Sequence, residues 1–217
     1  MSLALVTGAS RGFGAAVADQ LASRGWDVVA VARTVGGLEE LDDRVKARRQ
    51  PGAGALTLAP MDITNDDAMR HLCRSIHDRW GGLKLWVHAA IHAAPLAPAA
   101  HLDGKDWDKS VNINLRATGV LIPMIAPLLG ADGIAVFLDD PQGGQMNFGH
   151  YGTTKAAQIA LARSWQAETA RIGPRVVIHQ PAPMPTATRA RFWPGEDRSA
   201  LANVGDEAER LLNTIAL

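Results

Sequence analysis

The 217-residue chain carries 22 basic and 22 acidic side chains, so its formal charge at neutral pH is zero. That balance gives no bulk electrostatic case for nucleic acid or for an acidic membrane surface. A single cysteine, Cys73, excludes an intramolecular disulfide and fits a reducing compartment, and the length suits one domain over residues 1–217.

Met1-Ser2-Leu3 leads straight into the first strand, leaving no room for a signal peptide, so the chain reads as soluble and cytoplasmic. Leu3-Ala4-Leu5-Val6 is apolar, too short for a helix and suited to a buried strand. The turn Thr7-Gly8-Ala9-Ser10-Arg11-Gly12-Phe13-Gly14 follows, and residues 15–22 have helical composition. Strand, glycine turn and helix make a phosphate cradle. Glycine permits close approach, and the N–H groups at a helix start attract an anion. Taken alone, the same pattern also serves as a tight strand-to-helix turn.

Strand-like and helix-like stretches then alternate. A second strand over Asp27–Arg33 precedes a helix from Gly37 to about Arg49, which Pro51-Gly52-Ala53-Gly54 breaks. A weaker third strand, Leu56–Met61, leads to a helix over Asn65–Trp80 with Thr64 and Asn65 as capping candidates. A fourth strand spans Leu83–His88. The next helix runs from Asp106 to about Leu129, bent or broken near Pro123 and Pro127. Gly133–Leu138 is a fifth strand, Tyr151–Arg171 a helix and Arg175–His179 a sixth strand. Gly119–Leu138 has Asp132 as its only charge, yet its prolines and the turn Gly130-Ala131-Asp132-Gly133 argue helix and strand against a membrane span. Met184–Asn203 is rich in proline and arginine, only Gly205–Ala216 looks helical again, and no stretch remains for a seventh strand.

Apolar strands alternating with helices imply an α/β fold, a Rossmann-type doubly wound parallel sheet of about six strands in the order 3-2-1-4-5-6. Helices cover both faces, and the ligand lies at the carboxyl ends of the strands. An acid ending the second strand would favour NAD; here that strand ends Ala32-Arg33. Arg33 and Arg11 converging on one ribose suit a 2′-phosphate, hence NADP(H), against the reading of two solvated arginines. Asp62 either accepts from the adenine amino group or caps the following helix.

Tyr151 is the only tyrosine, and Lys155 lies one helical turn on, on the same face. An ammonium beside a phenol favours the phenolate, so the pair can move a proton to or from a carbonyl or alcohol oxygen.

At this point the chain resembles the short-chain dehydrogenase/reductase family over nearly its whole length. Thr7–Gly14 is similar to the TGxxxGxG cofactor turn, with Gly8, Gly12 and Gly14 in register and Ser10, Arg11 and Phe13 between them. Tyr151–Lys155 is similar to YxxxK, and Asn114 falls at the family's asparagine, which helps hold a water chain leading to the lysine. Pro181 and Thr186 match the segment after the sixth strand, where the threonine contacts the nicotinamide carboxamide. The resemblance implies a hydride transfer between NADP(H) and a small carbonyl or alcohol substrate. In it Tyr151 is the proton donor or acceptor, and Lys155 tunes it and binds ribose.

The departures are informative. The family's serine, about thirteen residues before the tyrosine, is missing; with a one- or two-residue gap Asp139 or Asp140 takes its place. An ionised carboxylate accepts but cannot donate, and it raises the pKa of a nearby phenol. Only a protonated, desolvated aspartate imitates the serine. The family's Asn-Asn-Ala-Gly reads His88-Ala89-Ala90-Ile91; the backbone at Ala89 and Ala90 still suits ribose, while Ile91 crowds a glycine position. Ala182 replaces a glycine usual after Pro181. The histidines show no metal-ligand clustering, and His150 either lines the site or serves as a cap or surface residue. The segment Thr188–Gly195 sits where the family closes a lid; its aromatic and basic residues either bind an apolar or anionic substrate or simply pack. The alternative to an enzyme is a catalytically impaired NADP(H)-binding sensor or scaffold. Pairing through the helices at 106–129 and 151–171 gives a homodimer by analogy.

Overall fold

The computed structural model describes residues 2–48 and 51–217. Its six strands are β1 (Leu3–Thr7), β2 (Asp27–Ala32), β3 (Leu56–Pro60), β4 (Leu85–His88), β5 (Ile134–Leu138) and β6 (Arg175–His179). They form one parallel sheet, as the alternation of strands and helices implies, in the expected order β3-β2-β1-β4-β5-β6.

Strand alternation splits the apolar side chains between two faces. On one face Leu3, Leu5, Val29, Val31, Trp86, Ala135 and Phe137 meet α3 (Asp66–Trp80), α5 (Ala117–Leu129) and α6 (Gly149–Thr169). On the other, Ala4, Val6, Val28, Ala30, Leu85, Val87 and Val136 meet α1 (Gly12–Ser23), α2 (Val35–Ala47) and α8 (Val204–Thr214). Both faces are covered, so the strands read as continuous apolar runs. The order reverses between β1 and β4. Crossovers leave opposite sides of the sheet there, and a crevice opens at the carboxyl ends.

Several boundaries differ from the sequence reading. The helix expected from Gly37 is α2, beginning at Val35 and ending at Ala47; Arg49 lies outside the described residues. Asn65, whose side chain accepts from Ala68 N, is the cap of α3. Helix α6 starts at Gly149, two residues before Tyr151.

The expected break at the prolines is absent. α4 (Gly104–Ser110), a π-helical stretch (Val111–Arg116) and α5 run on continuously, and Pro123 and Pro127 sit inside α5. Both prolines are exposed, as are Gly119 and Pro123 four residues before them, so the carbonyls that lose their helical donors reach water. The irregularity sits instead at Asn114, within the π stretch. By length and composition this 26-residue helix could cross a membrane. In the fold its residues Ile113, Ala117, Leu121, Ile125 and Leu129 are buried in the core beneath the sheet.

The proline- and arginine-rich segment holds a short helix, α7 (Ala187–Phe192), that composition hid. Thr186 caps it, accepting from Arg189 N at 3.2 Å. Among the described residues β6 stands at one edge of the sheet, where Gln166 Nε2 donates to Val176 O at 2.7 Å.

Candidate active site

A cleft of about 380 Å³ lies at the carboxyl ends of the strands. Its floor is the turn between β1 and α1. Gly8 has φ +83° and Gly12 φ +58°, both in the left-handed region that favours glycine. A Cβ on Gly8 would lie 2.6 Å from Ala90 N, so the turn packs directly on the Ala89-Ala90 backbone after β4. The first residues of α1 have no side-chain cap, which leaves their N–H groups facing the cleft. Ser10, Arg11, Phe13, Gly14, Ala89, Ala90, Pro181 and Thr186 also line it. Thr186 stands over Gly12, its Cγ2 3.5 Å from where a Cβ would be.

At the adenosine end, Arg11 and Arg33 are exposed, line the cleft and form no ion pair among the described residues. Asp62 lines it too. Its Oδ1 accepts from Thr64 N at 2.9 Å and Thr64 Oγ1 at 2.8 Å, shaping the turn before α3.

At the other end Tyr151 and Lys155 project from one face of α6 into the cleft, and both are buried. Tyr151 Oη donates to Asp140 Oδ2 at 2.9 Å, and Gln142 Nε2 donates to Asp140 Oδ1 at 2.9 Å. Burial, and then the charge and hydrogen bond of Asp140, push the Tyr151 phenol above its ordinary value, with Asp139 adding to the shift. Against the expectation that Lys155 lowers this value, burial is the larger cause of the rise, ahead of the carboxylates that the sequence reading expects to raise it. Burial pulls Lys155 down to about 8, against Asp140 and Asp139, which favour its charged form. Asp139 donates its backbone N–H to His179 O at 2.7 Å, and its carboxylate lies 3.8 Å from exposed Arg163.

Behind the lysine is a buried polar core. Lys155 Nζ donates to Gln158 Oε1 at 2.8 Å. Gln158 Nε2 donates to Asn114 O and Thr118 Oγ1, both at 2.9 Å. Thr118 Oγ1 donates to Asn114 O at 3.0 Å, so it accepts from His88 Nε2, also at 3.0 Å. Thr7 Oγ1 lies 2.7 Å from His88 Nδ1 and donates to Val87 O at 3.4 Å. Both ring nitrogens of His88 thus have hydroxyl partners inside the protein. Burial, helped by the Lys155 charge, lowers its pKa to about 3. Asn114 braces the loop after β4: its Oδ1 accepts from His92 N at 2.7 Å, and its Nδ2 donates to His92 O and Thr154 Oγ1. Asn114 reaches Lys155 through Gln158.

Residues 2–197 match the short chain dehydrogenase family. The chain belongs to that family. It is 33% identical over 222 residues to cis-4-hydroxycyclohexanecarboxylate dehydrogenase of Sinomonas cyclohexanicum, covering 96% of this chain and 87% of that protein. Dehydrogenase/reductase SDR family member 11 of Bos taurus is 35% identical over 122 residues, which is 54% of this chain; the match spans 45% of that relative's length. A putative short chain dehydrogenase from Pseudomonas syringae superposes with a TM-score of 0.85 at 28% identity, over 94% of this chain and 85% of that one. The chain is thus an oxidoreductase-family member with a Rossmann-type fold.

Within this short chain dehydrogenase, Asp140 is the aspartate that meets Tyr151, while Asp139 lies further from its hydroxyl along the same cleft wall. His150 turns away from the cleft: it is buried, its Nε2 donates to Asp103 O at 3.1 Å, and its ring lies 6.4 Å from that of Trp107. Neither the site nor the surface role expected for it is found. In the lid, Phe192 packs on Tyr151 with ring centroids 4.8 Å apart, and Phe148 and Trp193 complete the cluster. The lid arginines are both engaged. Arg189 pairs with Glu196 and lies 4.1 Å over the Trp193 ring; Arg191 donates to Ala93 O at 2.7 Å. Gln158 was missed in the sequence, because a glutamine seven residues after a tyrosine carries no motif. Its only legible signal is position: one turn beyond Lys155, on the same helical face.

Proposed function

We propose that this chain is an NADP(H)-dependent oxidoreductase that interconverts a carbonyl and an alcohol on a small substrate. The observation that carries this reading is Tyr151 and Lys155 opening into the same cleft as the glycine turn. The cradle suits a dinucleotide, since a side chain at Gly8 would fill it. Pyrophosphate is held by the N–H groups of residues 11–14, ribose by Lys155 and the Ala89-Ala90 backbone, and the carboxamide by Thr186. Arg11 and Arg33, with no acid at the end of β2, favour the 2′-phosphate. The chemistry supplied by the bound nicotinamide is hydride transfer. Tyr151 gives a proton to the reacting oxygen during reduction or takes one during oxidation, and Lys155 holds positive charge beside it.

A second reading, cofactor binding without turnover, is favoured by one contact. The Tyr151 proton points at Asp140, which accepts it and disfavours the phenolate. Cofactor oxidation across a carbonyl panel separates the two readings. Turnover that disappears in Tyr151→Phe, with NADPH affinity kept, supports the enzyme; turnover unchanged in that variant refutes the mechanism. Arg33→Asp should weaken NADPH far more than NADH, and equal losses would refute the 2′-phosphate assignment.

We also read the protein as a cytoplasmic homodimer with no membrane or nucleic-acid partner. Gly119 of α5 and Ala156 and Ala160 of α6 are exposed and small, which suits close helix pairing. Light scattering after size exclusion tests this, and a monomer would refute it.

A further inference from the structure

Asp140 is the acidic side chain that meets the Tyr151 hydroxyl inside the cleft. Its carboxylate already accepts two hydrogen bonds, from Tyr151 Oη and Gln142 Nε2, each at 2.9 Å. A carboxylate has about four lone-pair directions, so acceptor capacity remains and donor capacity does not. Lys155, the cation buried beside Asp139 and Asp140, has its ammonium turned to Gln158, and Arg189, which lines the same cleft, also acts on Asp140. The lid's Arg189 is matched by Glu196, Arg191 is turned onto the carbonyl of Ala93, and Arg163 is exposed and 3.8 Å from Asp139. Tyr151, Phe192 and Trp193 add aromatic rings to this part of the wall, with Arg189 already over the Trp193 ring. Aromatic faces and a carboxylate together form a seat for a cationic nitrogen.

We infer that the site selects substrates carrying a protonated amine on the carbon next to the reacting one, that is, vicinal amino alcohols and α-amino ketones. The inference rests on the oxidoreductase reading above and narrows its substrate class. A reacting oxygen within hydrogen-bond reach of Tyr151 Oη stands about one further hydrogen-bond length from Asp140 Oδ2. A substituent on the neighbouring carbon covers that distance. An ammonium there donates a charge-assisted hydrogen bond to Asp140, a hydroxyl a weaker one, and a carboxylate is repelled. Specificity arises as much from that repulsion as from the attraction.

Calorimetric titration of the NADPH-saturated protein at neutral pH tests the inference with three ligands of one shape: trans-2-aminocyclohexanol, trans-cyclohexane-1,2-diol and trans-2-hydroxycyclohexanecarboxylate. The amino alcohol should bind about tenfold tighter than the diol, with the carboxylate weakest. Asp140→Asn, close in volume, should bring the first two within about threefold of each other, and Asp140→Ser should do the same. Equal affinities, a preference for the diol or carboxylate, no binding of the amino alcohol, or a preference that survives both substitutions would each overturn the inference. The wild-type ranking decides even where a variant fails to fold. A direct NADPH titration separates the two levels: if NADPH does not bind, the oxidoreductase reading falls, and the same three ligands on cofactor-free protein still judge the role of Asp140.

Discussion

Tyr151 and Lys155 are each pushed toward their neutral forms by burial, but their carboxylate neighbours act on them oppositely. Asp140 opposes ionisation of the phenol and supports the charge of the lysine. Removing its charge should therefore lower both values. In Asp140→Asn the alkaline limb of alcohol oxidation, which follows formation of the phenolate, is expected to move to lower pH by about one unit. A pH–rate profile of wild type and variant checks this. Gln158 offers an independent handle, since it touches Lys155 without facing the cleft. Gln158→Leu removes the acceptor from Nζ, so the Lys155 pKa should fall below about 8 and NADPH affinity should drop at lower pH than in wild type. Gln158→Glu places a carboxylate there and should shift that loss to higher pH. A side chain that merely fills space would change affinity without moving its pH midpoint.

At the scale of elements, α8 ties the sheet edge to the glycine turn. Glu207 is buried and accepts from His179 Nε2 at 3.0 Å, from Ala182 N at 3.2 Å and from Arg210. Burial opposes its charge, yet these partners hold its carboxyl below the ordinary range. His179 in turn stacks on Phe13 of the cofactor turn, with centroids 6.2 Å apart and planes 6° from parallel. Glu207→Ala leaves the His179 and Ala182 donors unmatched, and about 3 kcal/mol of stability should be lost, measurable as a lower urea midpoint. NADPH affinity should weaken with it, because Phe13 loses its support. Contacts of this kind explain what the sequence hid. Apart from the i,i+3 pair of Glu207 with Arg210, each links residues 25 or more positions apart, as Ala182 and Glu207 are, and no local spacing announces them. The lid helix was hidden differently: prolines flank α7 and arginines fill it, so its composition argues loop while Thr186 supplies a cap. The strands and the cofactor turn were legible because burial on both faces and the need for glycine leave local marks.

For the molecule as a whole, the buried His88 makes stability depend on acidity. Its folded pKa of about 3 lies below the unfolded value near 6.5, so its contribution is complete above the unfolded value and is lost as pH falls toward the folded one. Between pH 7 and pH 5 this single group should cost about 2 kcal/mol. Thermal unfolding followed over that range should show the loss, and His88→Gln should flatten it. A slope unchanged in the variant would assign the dependence to other groups. The parallel, doubly wound sheet was readable from alternation, but the packing of α4 through α5 as one continuous helix was not. Prolines break helices where their carbonyl partners are buried, and here those partners face solvent.

The reversal between β1 and β4 also governs how the chain is made. Ala4 pairs with Leu85, whereas β1 with β2 and β2 with β3 join strands nearer in sequence. Emerging from the ribosome, the first three strands can assemble while β1 still presents an open edge where β4 will dock. Completing the middle of the sheet waits for the longest loop closure along the nascent chain, a step that slows folding and exposes apolar surface to aggregation. The junction at the crevice is thus the strand pairing that spans the longest stretch of chain.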